Sequence, residues 1–287
     1  TTGAQNVAIG PYALDANTTA SDNIAIGYDA LTTNITGASN VAIGRNALAV
    51  NTASNNIAIG YLALTANTTG TNLVAVGYGA LDANTTGDFN AAVGYAALGA
   101  NTTGTQNTAV GYAALQDCST GSYNTALGIE AGRNLTTGSN NTAVGRNSLD
   151  SAVTGDWNTA VGAWAARDIT SGTNNTGVGA YACASVTTGS ENTAVGKQAL
   201  EANTTASYNS AVGSAALKLN TTGAYNTAVG YDALRDNTTG AANSAFGTYS
   251  LQKNTTADNN TAFGYHTLNA NTTGSENVAI GANALDA

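Results

Sequence analysis

The sequence predicts an all-β fold, a parallel β-solenoid of seventeen coils of about 17 residues, and three observations carry that prediction. First, glycine returns at a nearly fixed interval from Gly10, Gly27, Gly44 and Gly60 to Gly281, and fifteen of the sixteen gaps are 17 residues, with Gly44–Gly60 at 16. Second, a short apolar or Thr-Ala-Val triplet precedes each glycine. Third, an Asn-Thr-Thr-Gly turn or a near copy follows it. A repeat this short cannot hold a helix pair, which needs about 34 residues. Glycine and the Asn-Thr-Thr-Gly phrase in each coil would also interrupt helices.

The triplets Val7-Ala8-Ile9, Ile24-Ala25-Ile26, Thr108-Ala109-Val110 and Thr227-Ala228-Val229 alternate with period two and favour β-branched residues, as strands do. The Tyr-x-Ala-Leu phrase after the glycine suits a second short strand, and Asn-Thr-Thr-Gly then turns the chain. Coils stacked at the strand spacing of about 4.8 Å would make a rod about 80 Å long. The period runs from Asn6 to Ala287 without a shift in composition, which predicts a single array over residues 1–287. Neither end of the array carries a polar cap of the kind a free solenoid needs, so the array is expected to be a segment of a longer fibre.

Columns sort by what they tolerate. Two residues before the glycine stands Ala in sixteen coils, with Gly177 in the other, and three after it stands Ala in fourteen. A surface does not demand small residues so strictly, so these columns belong inside a narrow roll. By strand alternation the Val/Ile column just before the glycine then points outward, where a continuous apolar stripe needs a partner. Val110, Val144, Val195 and Val229 are the candidate intersubunit stripe. The competing arrangement is a wider monomeric coil with Val and Leu inside and Ala outside.

Two asparagine columns stand out. Asn lies four before the glycine in sixteen coils, Leu73 being the exception. Seven after it, Asn occupies eleven of sixteen complete coils, including Asn17, Asn67, Asn84, Asn101, Asn203, Asn220, Asn237, Asn254 and Asn271. In the five consecutive coils between Asn101 and Asn203 the same place holds Cys118, Leu135, Ala152, Ile169 and Val186. A site that exchanges Asn for aliphatics is read as buried, with stacked amides bonding to one another in a ladder. Its ends, at Asn101 and Asn203, must find other partners. Ten of the eleven asparagines are also glycosylation sequons, and a line of glycans is the alternative reading.

Catalysis has little to stand on. The chain has one histidine, His266, read as a solvated side chain beside Tyr265, and two cysteines, Cys118 and Cys183, read as buried thiols. Four coils would separate those cysteines by about 19 Å, beyond disulfide reach. No cofactor or metal is implied. A net charge of −9 and only 9% charged residues argue against nucleic acid, and no apolar run is long enough for a membrane span. The candidate contact surface is aromatic: Phe89, Tyr123, Trp157, Tyr208 and Tyr225 stand five before a glycine, and Trp164 lies near Trp157. Recurrent Thr nine after the glycine raises the separate idea of ice binding.

The phrase Asn-x-Ala-(Ile/Val)-Gly-x-x-Ala, clearest at Asn6-Val7-Ala8-Ile9-Gly10 and Asn277-Val278-Ala279-Ile280-Gly281, resembles the head repeats of trimeric autotransporter adhesins. The longer Asn-Thr-Ala-Val-Gly-Tyr-x-Ala-Leu arrays are similar to repeat shafts of phage tail fibres and other extracellular fibres. The resemblance implies a left-handed parallel β-roll packed as a homotrimer, with Ala in the roll and Ile/Val toward neighbouring chains. It also implies an extracellular, cell-surface or virion-borne fibre that partners itself, as a trimer or end to end, and that binds cell-surface glycans if it is adhesive. The period of 17 departs from the family's shorter coil by about three residues at the Asn-Thr-Thr-Gly turn.

Overall fold

A computed structural model describes residues 2–286. The chain divides into two compact units, residues 1–140 and 141–287. Among the described residues every regular element is a three-residue strand, from β1 (Val7–Ile9) to β8 (Thr125–Leu127) in the first unit and from β9 (Thr142–Val144) to β17 (Val278–Ile280) in the second. Within each unit successive strands pair in parallel and in strict register: Ala8 faces Ala25, Ala25 faces Ala42, and Ala194 faces Ala211. Each unit is thus a parallel β-solenoid.

The expected second strand is absent. The residues after each glycine instead form two successive tight turns. In the coil that starts at Gly27, Ala30 N–H donates to Gly27 O at 3.4 Å and Asn34 N–H donates to Leu31 O at 3.4 Å. Asp29 and Leu31 adopt left-handed φ values of 54° and 53°. A non-glycine residue there costs about 1–2 kcal/mol, and most coils carry three, these two and the residue five before the corner glycine, such as Asp22 and Ser39. The compensation is specific. A left-handed residue breaks the in–out alternation of a strand, so the adjacent Ala30 and Leu31 are both fully buried. Leu31 N–H also keeps an inter-coil bond, to Ala47 O at 3.0 Å. The apolar filling of the roll is therefore three columns: the strand Ala, the turn Ala and the Leu beside it. Each strand's flanking residues, Val/Ile included, lie on the outer face.

The corner glycine is fixed by its neighbours. Gly162 has φ of 132°, and a Cβ there would lie 2.7 Å from the carbonyl carbon of Gly179 in the next coil. Backbone from one coil thus occupies the space where a side chain would go in the coil before it.

Both asparagine columns are inside, and they do different work. The column four before the glycine laces coils together. Asn175 Oδ1 accepts the Asn192 backbone N–H at 3.1 Å, Asn192 Oδ1 accepts that of Asn209 at 3.1 Å, and Asn192 Nδ2 donates to Ala206 O at 2.9 Å. The column seven after the glycine forms the amide ladder. In the first unit Asn67 donates to Asn51 at 2.7 Å, Asn84 to Asn67 at 2.9 Å and Asn101 to Asn84 at 2.8 Å. In the second unit the chain of bonds runs from Asn271 through Asn254, Asn237 and Asn220 to Asn203. Asn17 bonds within its own turn, to Ala20.

The ladder's end in the first unit carries the expected defect: Asn101 Oδ1 is buried and has no hydrogen-bond partner, because the next coil offers Cys118. Cys118, Leu135, Ile169 and Val186 fill the slot as buried residues. Ala152 does not. It is exposed, and the neighbouring Val153 is fully buried in its place, with Val153 N–H turned back to Ser151 O at 2.7 Å. An Ala side chain fills a Leu- or Ile-sized corner poorly, and a one-residue shift brings in the larger side chain.

Two predictions follow from these contacts. Gly162→Ala should lower stability by about 3 kcal/mol or more through its φ and the clash with Gly179. Gly79→Ala, at a φ of 58° with only Asp82 Oδ2 near the new Cβ at 3.7 Å, should cost about 1 kcal/mol. Thermal melts of the two variants would compare them, and equal losses would contradict the inter-coil account. The asparagine columns should differ as well. Asn192→Ala strips the Asn209 N–H of its acceptor and should cost about 2–4 kcal/mol. Asn203→Val copies Val186 at a ladder end and should cost about 1 kcal/mol, because Ala206 O keeps its bond from Asn192.

Candidate contact surfaces

The five aromatics five before the glycines are all exposed, at 55–63%. They are not gathered into one patch. In the first unit Phe89 and Tyr123 are separated by the coil that carries Gln106. In the second unit Tyr208 and Tyr225 stack with centroids 5.1 Å apart and planes 4° apart, while Trp157 lies three coils from Tyr208 in the same column. Trp164 occupies a different column, half-buried, stacked on Tyr181 at 5.1 Å and capped by the Arg146 guanidinium at 4.9 Å from its ring.

A more continuous aromatic feature lies just after the corner glycines of the first unit. Tyr61, Tyr78, Tyr95 and Tyr112 stack in succession with centroids 5.3, 5.0 and 5.3 Å apart. The Arg45 guanidinium sits 5.5 Å from the Tyr28 ring and 6.0 Å from that of Tyr61, so it stands in for a ring between them. The signal was in the sequence, as tyrosine at one column in four successive coils. What the sequence did not supply was the geometry that turns a column into a stack.

Beside this stack a furrow of about 330 Å³ opens on three coils, lined by Tyr78, Asp82, Ala96, Gly99, Gln116 and Asp117. The Asp82 carboxylate lies between two glycines: a Cβ on Gly79 would be 3.7 Å from Oδ2 and one on Gly99 would be 3.5 Å from Oδ1. Burial holds the Asp82 carboxyl above the usual aspartate range, opposed by hydrogen bonds from the backbone of Ala83 and of Asp82 itself.

The Val/Ile column faces outward: Val110, Val144 and Val229 are half-buried and Val195 is exposed. In the first unit Ile57, Ile59, Val93 and Leu127 are exposed on the same face.

The remaining chemistry is sparse. Cys118 and Cys183 are free and buried, and burial pushes both thiols up to about 12. At that value neither is a thiolate near neutral pH. His266 is packed rather than solvated, with ring centroids 4.8 Å from Tyr249 and 4.6 Å from Tyr265, and its Nδ1 lies 3.9 Å from Asp286. Among the described residues no group of three His, Cys, Asp or Glu side chains could hold a metal ion. Most ladder sequons offer no accessible amide: Asn34, Asn67, Asn84, Asn101, Asn203, Asn220, Asn237 and Asn254 are fully buried, whereas Asn17 and Asn271 are half-buried. Outside the ladder, the sequon asparagines Asn174 and Asn259 are exposed. Thr19, Thr86, Thr103 and Thr256, from the column weighed for ice binding, lie exposed in the bends of the turns, and Thr154 is exposed in an irregular stretch.

No family model matches the chain, and no curated protein is significantly similar to it.

Asp82 yields a test of the furrow's electrostatics. Its folded-state pKa is raised, so the penalty is absent at pH values below the unfolded pKa, where both states are protonated. The penalty grows as pH rises and is complete above the folded pKa. Asp82→Asn should therefore raise the melting temperature at neutral pH and leave it unchanged in acid. A variant less stable than the parent at pH 7 would show that the carboxylate is stabilised in the fold.

Proposed function

We propose that this chain is a non-catalytic structural segment of an extracellular or virion-borne fibre, a stiff spacer that associates laterally with further copies of itself as a homotrimer. One observation carries the reading: the inward strand Ala, the turn Ala and the Leu beside it fill the roll and leave a strand face of Val, Ile and Thr outside. Contiguous apolar surface of that kind marks an interaction site in soluble proteins. Every coil presents the same face, so a partner with the same repeat matches it at each level, and another copy of the chain is such a partner. The ladders inside each unit favour a spacer role, since bending a stack would part inter-coil bonds in several columns at once. End-to-end polymerisation would use the same coil-on-coil bonding.

An adhesive contribution is the second reading, supported by the exposed aromatic columns, since aromatic side chains anchor both proteins and sugars.

Light scattering of the purified chain should give three times its 28.3 kDa mass, or a larger polymer, and micrographs should show uniform filaments or short rods. Val195→Lys, placed on the outer face, should release monomers that retain the parent's β-type circular dichroism. A parent that is monomeric at micromolar concentration would overturn the lateral assembly, and globular particles would overturn the spacer.

A further inference from the structure

In four coils, one in the first unit and three in the second, the place that corresponds to the furrow beside the tyrosine column is bridged. The side chain two after the corner glycine meets the one five after it: Glu130 with Arg133 at 2.9 Å, Asn147 with Asp150 at 2.9 Å, Gln198 with Glu201 at 2.9 Å, and Asp232 with Arg235 at 3.0 Å. Among the described residues of the first unit only the Glu130 coil is bridged, and in three successive coils the first member has no side chain that could reach across, being Gly79, Ala96 or Ala113. The second members there are Asp82, Gly99 and Gln116. Those coils are the ones that carry stacked Tyr78, Tyr95 and Tyr112. The open furrow and the tyrosine wall therefore coincide, although they arise from different columns.

We propose that this furrow is a binding site for a neutral saccharide, held along the coil stack against the tyrosine wall. The chemistry matches on three counts. Gly79, Ala83, Ala96 and Ala100 give an apolar floor for the C–H face of a pyranose ring. The carboxylates of Asp82 and Asp117 accept hydrogen bonds from sugar hydroxyls, and the Gln116 amide both donates and accepts. The stacked rings shield one another's faces and leave edges and phenol hydroxyls exposed, so the wall offers polar and apolar contacts together. No basic side chain lines the furrow, so phosphate, sulfate and acidic sugars lack a counter-charge. A lone cation would satisfy the carboxylates and gain nothing from the floor. A pocket of this size with a few convergent polar groups fits a small ligand, and its shallowness sets the expected Kd on the order of 1 mM.

The bridged coils supply the variant that tests it. Asn occupies the position of Gly79 in other coils with the same left-handed backbone, as Asn46 with φ of 59° and Asn147 with φ of 52°. A Cβ at Gly79 meets only the Asp82 carboxylate, at ordinary contact distance. Gly79→Asn should therefore fold as the parent does and close the furrow by bonding Asp82, as Asn147 bonds Asp150. Saturation-transfer NMR on the full chain, with lactose, cellobiose, maltose and diacetylchitobiose as probes and arginine amide as a cationic control, should show transfer to at least one disaccharide. Gly79→Asn and Asp82→Ala should each weaken that signal about tenfold, an expectation scaled to the loss of one or two buried hydrogen bonds. Transfer to none of the four disaccharides, undiminished transfer in both variants, or a response to arginine amide alone would overturn the proposal. If Gly79→Asn does not fold, Asp82→Ala decides alone. Monomer and trimer are read alike in this assay, so its failure would leave the fibre reading to the mass measurement.

Discussion

A roll this narrow hides polar corners at little cost only where the buried polar atoms have partners, and the asparagine four before the corner glycine, present in sixteen of seventeen coils, supplies them. One amide accepts the backbone N–H of the next coil and donates to the carbonyl that closes the turn. Both groups would otherwise be buried and unpaired, at about 1–3 kcal/mol each. Because the bonds run from coil to coil, they also fix register. The one short coil demonstrates this. Between Gly44 and Gly60 the turn lacks a residue, and Asn51 Nδ2 reaches Ala53 O at 2.8 Å where other coils reach one residue further. The lacing stays in step regardless, with Asn56 N–H on Asn40 Oδ1 at 2.9 Å and Asn67 on Asn51 at 2.7 Å. The turn absorbs the deletion and the amides do not move out of line.

The same constraint explains why one asparagine column tolerates exchange and the other does not. Amides seven after the glycine bond chiefly to one another and to a turn carbonyl that the other column already serves, as Gly70 O receives both Asn56 and Asn67. Replacing a block of them with Cys118 and Leu135 leaves that carbonyl's counterparts bonded: Gly121 O keeps Asn107 and Gly138 O keeps Asn124. The cost falls on the block's border, at Asn101 Oδ1. Leu73, the one exception in the lacing column, keeps its backbone bonds, donating its N–H to Asn56 Oδ1 at 3.1 Å and accepting the Ile57 N–H at 2.8 Å, but has no amide to pass to the next coil.

The fold was legible because its constraints act on every coil and so are printed in the sequence many times over. Period, strand triplets, inward Ala and the buried amide ladder could all be read that way. The second strand was misread for a physical reason. Ala and Leu side by side suit a strand by propensity, but both must enter the roll, and only a left-handed residue permits that. Leu has no special preference for that conformation, so no residue type announced it. Val153 was missed because column counting assumes a constant turn, and a larger side chain one place away can outcompete the residue in register. The candidate surface was legible only in part. The Val column and the exposed aromatics were found by position, whereas the furrow depends on what Gly79 and Gly99 lack and on a carboxylate two turns could have paired.

Regular stacking changes what counts as a signal on the outside of such a molecule. A pitch near 5 Å converts any repeated outer residue into a ladder without further design, as the tyrosine centroids show. A stack of tyrosines is therefore weak grounds for function when taken alone, because copying a coil would produce it. A departure from the repeat is different. Gly79 stands where other coils place Asp29, Asn46 or Asn147; glycine suits the left-handed turn best, but it has no side chain to bond a neighbour as Asn147 bonds Asp150. Its absence of a side chain leaves Asp82 half-buried between two glycines, with its carboxyl held above the usual range. Four other coils fill the equivalent gap with a bonded pair, each at the expense of a non-glycine residue in a left-handed turn. Retaining an unfavourable carboxylate over an open furrow is the pattern expected where a surface is kept for a ligand at some cost to the fold.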